Sequence, residues 1–414
     1  MALDAVLLWA LSVPIVMQYR ILPIEGTPYW LFGILFLLLT VHLLISLTPT
    51  FFKRTQTLER FKSFCVWAVL AIVLGGSMVT AMVDRAKIAP VWGVHDIILQ
   101  QEAAVRYVVT GKNPYKETYF GTPVESFNYD EPGNNDAVNP ALYHFVMPPW
   151  YLLFQFPFYY ISVHMLGFFD GRMPLLFLVV AMLGILLVWF KNKTLGRMAI
   201  ILTALSPAVV DYLIEGRSDM FALAWLVASL FLLTRKQPVL SGIAFALAFL
   251  SKQTIWFALP FYALLAWKWE RKRIVRLGLA ALITVIVIGA PFVAWDPKAF
   301  IDSVVVYLSG GSATSYPVSG YGLSMVLWDM GIIRDIHDYY PFSLWQAALG
   351  LPVLFFSLRY LSKKPAVSKF FIAYGVTLGI VWYVSRYFNN SHAAYLSSLF
   401  ILGVLFSMDE RAAA

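Results

Sequence analysis

The feature that most constrains this chain is the succession of apolar runs that fills most of its length. They fall at 4–18, 29–48, 62–83, 146–169, 173–190, 198–214, 218–233, 239–251, 254–268, 277–295, 341–361, 370–385 and 392–407. A helix needs roughly 20 apolar residues to cross a bilayer, and many of these runs approach that length. They are continuous rather than alternating, which favours helices over a barrel. Composition agrees, because 60% of the 414 residues are hydrophobic and only 13% are charged. Such a chain cannot cover a globule with polar surface, so its solvent is largely lipid. The expected fold is all-α, a polytopic membrane helix bundle. The one cysteine, Cys65, sits inside an apolar run, so neither an intrachain disulfide nor a cysteine metal site can form. The first run lacks a basic leader and a small-residue cleavage site, and reads as a retained helix.

The net charge of +8 resides in short basic clusters between the runs and gives no sign of a nucleic-acid partner. These clusters are Lys53, Arg54, Arg60 and Lys62; Lys191, Lys193 and Arg197; Arg235 and Lys236; Lys268, Arg271, Lys272, Arg273 and Arg276; and Arg359, Lys363, Lys364 and Lys369. Basic residues concentrate on the cytoplasmic side. All five clusters fall there only if 146–169 does not cross. Pro148, Pro149 and Pro157 make a straight span through that run unfavourable. The expectation is about 12 spans, both termini cytoplasmic, and a re-entrant or interfacial helix at 146–169. The order is then 1–83 (three spans), 84–172 (first outer-face loop), 173–295 (central spans), 296–340 (second outer-face loop) and 341–414 (C-terminal spans). Acids collect in the first outer loop: Asp84, Asp96, Glu102, Glu117, Glu125, Asp130, Glu131 and Asp136.

Four constellations could carry chemistry. His95-Asp96 opens a segment whose Leu99, Ala103, Arg106 and Tyr107 recur at helical spacing, ended by Gly111 and Asn113-Pro114. Asp96 can cap that helix, or serve as a general base toward a sugar hydroxyl. Glu102 and Arg106 are spaced for an i,i+4 ion pair. Asp211, Glu215, Arg217 and Asp219 crowd one short turn. They form either a solvated pair or a ligand-facing turn in which Arg217 holds phosphate. Lys252 and Gln253 occupy a tight polar turn, and Arg386 another. Arg217, Lys252 and Arg386 all break the charge rule on the outer face, which fits convergence on a phosphate. The fourth constellation runs from Ser315 through Tyr321 to Ser324, where tyrosines suit a membrane interface or a sugar stack.

The acid near the start of the first outer loop, the His95-Asp96 helix ending in Gly111-Lys-Asn-Pro-Tyr115, and the Pro148-Pro149 pair heading an apolar helix resemble the multi-spanning GT-C glycosyltransferases. Glycosyltransferase family 87 is the nearest pattern. Glu215-Gly-Arg-Ser-Asp219 and Ser251-Lys-Gln-Thr254 resemble the Gly-Arg-Asn-Asp and Lys-Gln turns of that superfamily. Ser218 departs from it, standing where Asn is more usual. The resemblance spans most of 84–330. It implies transfer of a sugar, most often mannose, from a polyprenyl-phosphate donor to a glycan or lipid-linked acceptor at the non-cytoplasmic face. It places the catalytic acid at Asp96, with Asp84 as second candidate, and a substrate site among His95, Glu102, Glu215, Arg217, Asp219, Lys252, Gln253, Tyr321 and Arg386. No cofactor is assigned, a divalent cation is left open, and no nucleotide-binding fingerprint is present. The rival readings are a lipid-glycan flippase, which calls for charges at helix centres, and a non-catalytic scaffold of envelope assembly.

Overall fold

The computed structural model describes residues 2–19, 26, 28–47, 56–88, 91–131, 137–312 and 314–412. Lys53, Arg54 and Asp136, which entered the expectations above, lie outside them. Among the described residues, six helices are long and apolar enough to cross a membrane: Tyr29–Leu47, Gln56–Lys87, Arg172–Trp189, Arg271–Trp295, Phe342–Lys363 and Asn390–Ala412. Four apolar helices are shorter: Leu3–Gln18, Asp219–Thr234, Pro238–Phe249 and Val367–Tyr383.

The difference from about 12 full spans has local causes. The 198–214 run breaks at Ser206-Pro207 into the helices Lys193–Leu205 and Val210–Glu215. Proline there supplies no backbone donor and its ring crowds the preceding turn. The 254–268 run opens as a 3-10 turn, Gln253–Ala258, before the helix Leu259–Trp269. The 146–169 run, not counted among those spans, divides into Pro149–Leu153 and Phe156–Leu166, 5 and 11 residues long. Neither piece reaches the roughly 30 Å of a hydrocarbon core.

Helix Asp219–Thr234 forms the centre. It packs against Arg172–Trp189 on one side and Pro238–Phe249 on the other, and nearly all of it is buried. A helix walled in by protein does not need a lipid-matched length. Between helices, lipid tails are as apolar as leucine, so close packing rather than water exclusion holds them together. Gly242 shows this directly: a Cβ there would collide with the Leu277 carbonyl of helix Ile274–Trp295.

One end of the bundle holds a buried charge cluster. Arg197 Nε donates to Asp4 Oδ2 at 2.6 Å and Nη1 to Glu59 Oε2 at 2.8 Å, while Lys62 Nζ lies 3.9 Å from Asp4. Arg197, a member of the second basic cluster, is fully buried, because Asp4 and Glu59 meet its guanidinium there. The other end of Gln56–Lys87 carries Arg85 and leads to the polar region described next. There Ser319–Gly320 and Tyr387–Phe388 form a two-residue parallel pair, Ser319 opposite Tyr387 and Gly320 opposite Phe388. Gly320 has φ 89° and sits against the Phe388 carbonyl, where no Cβ fits.

Candidate active site

A buried network sets the frame of the site. Arg85 donates to both Glu102 oxygens at 2.7 Å and to Asp170 Oδ2 at 2.9 Å. Asp170 in turn accepts from Arg172 Nε at 2.9 Å and Nη2 at 2.8 Å. Arg172 then spends its remaining donors on backbone: Nη1 on Gly93 O (2.9 Å) and Ile214 O (3.0 Å), Nη2 on Ala81 O (3.1 Å). Forked, charge-assisted bonds of this kind hold geometry tightly. Glu102 therefore pairs with Arg85 and not with Arg106 as its spacing suggested. Arg106 is exposed, whereas Arg85 presents a planar fork inside the protein.

The network fixes the segment before helix Asp96–Val109 against the turn after helix Val210–Glu215. The backbone N–H of His95 completes the join by donating to Glu215 O at 2.9 Å. Gly216 makes the turn possible, with φ 89° and Ile98 Cγ1 2.6 Å from where a Cβ would stand. Helix Asp219–Thr234 starts two residues after Arg217.

His95, not Asp96, occupies the cap position, and Asp96 is the first helical residue. The Asp96 carboxylate is thus free of the capping duty that competed with a chemical role. His95 Nδ1 lies 2.7 Å from Asp96 Oδ1 and 3.3 Å from the Ile97 nitrogen. One nitrogen cannot donate to the first and accept from the second. The shorter, charge-assisted contact governs, so Nδ1 carries the proton and points it at the carboxylate. Asn139 Nδ2 donates to Asp96 Oδ2 at 3.1 Å, and the Asn139 carbonyl oxygen is held by the Ala141 N–H at 2.9 Å. One helical turn on, Gln100 fixes the same loop by donating to the carbonyls of Ala141 and, at 2.7 Å, His144. Burial pushes the Asp96 carboxyl up, but His95, Asn139 and the more distant Arg217 outweigh it and hold it at about 2.

Asp96 lines a cavity of about 660 Å³ together with His95, Arg217, Asp219, Lys252, Gln253 and Tyr321. Arg217 spends Nε on Glu215 Oε2 at 3.1 Å, and its guanidinium lies over the Tyr212 ring at 4.6 Å. Its two terminal nitrogens keep their donors. Lys252 Nζ donates to Asp219 Oδ1 at 2.7 Å and has two further N–H groups. Two cations with donors in reserve can accept an anion without losing their own partners. The Gln253 amide is committed elsewhere, to Val146 O at 2.7 Å and Val304 O at 3.0 Å, so it joins the segments 84–172 and 296–340. Tyr321 is 67% exposed and stands at the cavity's rim.

Four expected residues fall outside that lining, Glu215 among them, whose carboxylate pairs with Arg217. Arg386 is buried, and its guanidinium donates to the backbone carbonyls of Tyr316, Asp338 (2.7 Å) and Ile336 (2.9 Å). It holds the second loop in place rather than joining Arg217 and Lys252. Its carbonyl partners come from a loop whose return across the site left no mark in the local sequence. Asp84 is buried near the C-terminal end of helix Gln56–Lys87, and Glu102 faces a second cavity of about 450 Å³ that also contains Arg85, Arg106 and Asp170.

Sequence reasoning passed over Asn139, Gln100 and the Asp170–Arg172 pair. The last had a usable signal, two opposite charges heading an otherwise apolar helix. It singled out the tyrosines of 315–324, Tyr316 among them, but missed Phe127, Tyr129, Tyr307 and Tyr387, which join Tyr316 in the aromatic wall from segments far apart in sequence.

Comparison with curated proteins and with solved structures gave no match. Glycosyltransferase family 87 matches residues 145–407. The match starts later than the resemblance read from the motifs and runs on to the C-terminal helices. It takes in the Arg217 and Lys252 turns and the last two helices, and leaves helix Asp96–Val109 outside. Covering more than half of the sequence, it shows that the chain belongs to glycosyltransferase family 87 and is a membrane glycosyltransferase.

Proposed function

We propose that the chain transfers a sugar, mannose in the first instance, from a polyprenyl-phosphate donor to a glycan or lipid-linked acceptor at the non-cytoplasmic face. One observation carries this reading: a carboxylate free of capping and two cations with unspent donors line the same cavity. Arg217 and Lys252 hold the donor phosphate with charge-assisted bonds. The acceptor hydroxyl oxygen attacks the anomeric carbon, the bond from that carbon to the phosphate oxygen breaks, and the hydroxyl proton passes to Asp96. A carboxylate held at about 2 is a weak base toward a free alcohol. It becomes an adequate acceptor as the oxygen bonds to carbon and the hydroxyl grows acidic. The departing lipid phosphate needs no general acid, because the cations offset its charge.

The charged side chains gather at the helix ends and not along a path through the bundle, which favours this reading over a flippase. The test is transfer by the purified protein in lipid nanodiscs, offered a polyprenyl-phosphate sugar or a nucleotide sugar. Transfer from the lipid donor is expected. Transfer from the nucleotide sugar alone would overturn the proposal.

A further inference from the structure

His392 stands at the start of helix Asn390–Ala412 and lines the cavity that holds Asp96, Arg217 and Lys252. Its backbone and ring are both engaged. The Asn389 N–H donates to His392 Nδ1 at 2.9 Å, while the His392 N–H donates back to Asn389 O at 3.0 Å. A backbone N–H can only donate, so Nδ1 is unprotonated and the ring proton sits on Nε2. The ring is clamped by Trp382, with centroids 4.4 Å apart, and stacked on Phe388 at 14°. The side chain is therefore held in one orientation and one tautomer.

Nε2–H makes no hydrogen bond among the described residues. His392 is only 7% exposed, and the surface it keeps opens on the cavity. An oriented donor that opens on the cavity and has no protein partner is free to meet a ligand there. The charged groups that act on the ring are Asp219, Lys252 and Arg217. Asp219 is already taken by Lys252, so the acceptor that completes the set is an anion brought in from outside.

We infer that His392 is a substrate-binding residue whose neutral Nε2–H donates to the phosphate of the sugar donor, beside Arg217 and Lys252. A third, uncharged donor would stabilise the phosphate without adding a cation that must be desolvated. This rests on the lipid-phosphate reading above.

Two variants separate the binding role from the capping role. In His392→Gln the amide nitrogen falls near the place of Nε2 and can still donate to the phosphate. In His392→Asn the amide oxygen falls near Nδ1 and can still accept from the Asn389 N–H, but nothing reaches the cavity. Binding of polyprenyl phosphate to the full chain in nanodiscs, with melting temperature recorded alongside, is the measurement. The expected result is affinity weakened about tenfold or more in His392→Asn and by less than about threefold in His392→Gln. Normal affinity in His392→Asn overturns the inference. So does loss in both variants at unchanged melting temperature, since the retained donor then does not suffice. Wild-type protein that fails to bind polyprenyl phosphate sinks the donor reading itself. Wild-type binding with an unaffected His392→Asn sinks only the role of His392.

Discussion

The backbone N–H of His95 donates to the Glu215 carbonyl at 2.9 Å. Through that bond the start of the Asp96 helix and the turn carrying Arg217 become one rigid piece, although 120 residues separate the two partners. The proposed base and the proposed phosphate ligand thus share a frame, which suits a reaction that needs both at fixed separation.

Asp96→Asn keeps the shape of the carboxylate and cannot accept a proton. Asn at this first helical position keeps an oxygen that accepts from His95 Nδ1–H, so the change leaves the helix start intact. Turnover should fall by roughly 10²–10⁴-fold while the melting temperature stays near that of the wild type. Transfer assays on the purified variant decide this, and near-normal turnover removes Asp96 as the base.

The Asp96 carboxyl is held at about 2, so it is ionised throughout the pH range in which an assay can be run. A carboxyl with a depressed folded value contributes stability that is fully present above its unfolded value. That contribution disappears as pH falls through about 2, and is worth on the order of 2 kcal/mol. Asn139→Ala removes one donor and raises the carboxyl. The acid limb of kcat/KM should then move to higher pH than in the wild type. A wild-type acid limb with its midpoint between about pH 4 and 8, unmoved by Asn139→Ala, would show that a group other than Asp96 limits the reaction.

The two kinds of arginine should answer differently to removal. Arg217→Ala takes a ligand from the cavity, so donor KM should rise about tenfold or more with the fold preserved. Lys252→Ala should behave likewise. Arg386→Ala leaves three backbone carbonyls in a buried loop without donors, so it should cost stability, about 3–5 kcal/mol, before it costs affinity. Thermal melting beside donor titration separates the two. A rise in KM for Arg386→Ala at unchanged melting temperature would return it to the phosphate site.

Much of the fold could be read from sequence, since apolar runs without breakers became helices in their expected places. The runs that misled, 198–214 and 254–268, are those in which hydropathy persists across a backbone break. Hydropathy reports what surrounds a residue and not whether its neighbours continue one helix. At the site, Asp96, Arg217 and Lys252 were legible because each is a charge where apolar residues prevail. Arg386 answered the same description but lies outside the cavity's lining. Its charge is absorbed by carbonyls from the second loop, and long-range pairing of that kind leaves no local trace. Asn139 and His392 were passed over because their roles depend on a single partner far away or on one tautomer.

The side on which the clusters lie can be measured. Cys65 is buried, so single cysteines introduced at exposed positions can be labelled selectively. Lys193→Cys and Lys272→Cys should both react only from the cytoplasmic side. Lys193 is chosen because Asn192 caps its helix through Thr194 and Leu195. Labelling of position 193 from outside would mean that 146–169 crosses after all.

The two-residue parallel pair between Ser319–Gly320 and Tyr387–Phe388 has a consequence for how this enzyme can vary. It ties a loop in the last third of the chain to the hairpin that precedes the final helix, and both contribute walls to a cavity whose carboxylate comes from the first third. No contiguous stretch contains the site. A shuffled or shortened relative that exchanged its last two helices would lose the outer wall along with the membrane anchor. The cavity's lining can therefore drift by single substitutions around the rim, at Tyr321 for example, far more readily than by the swapping of whole segments.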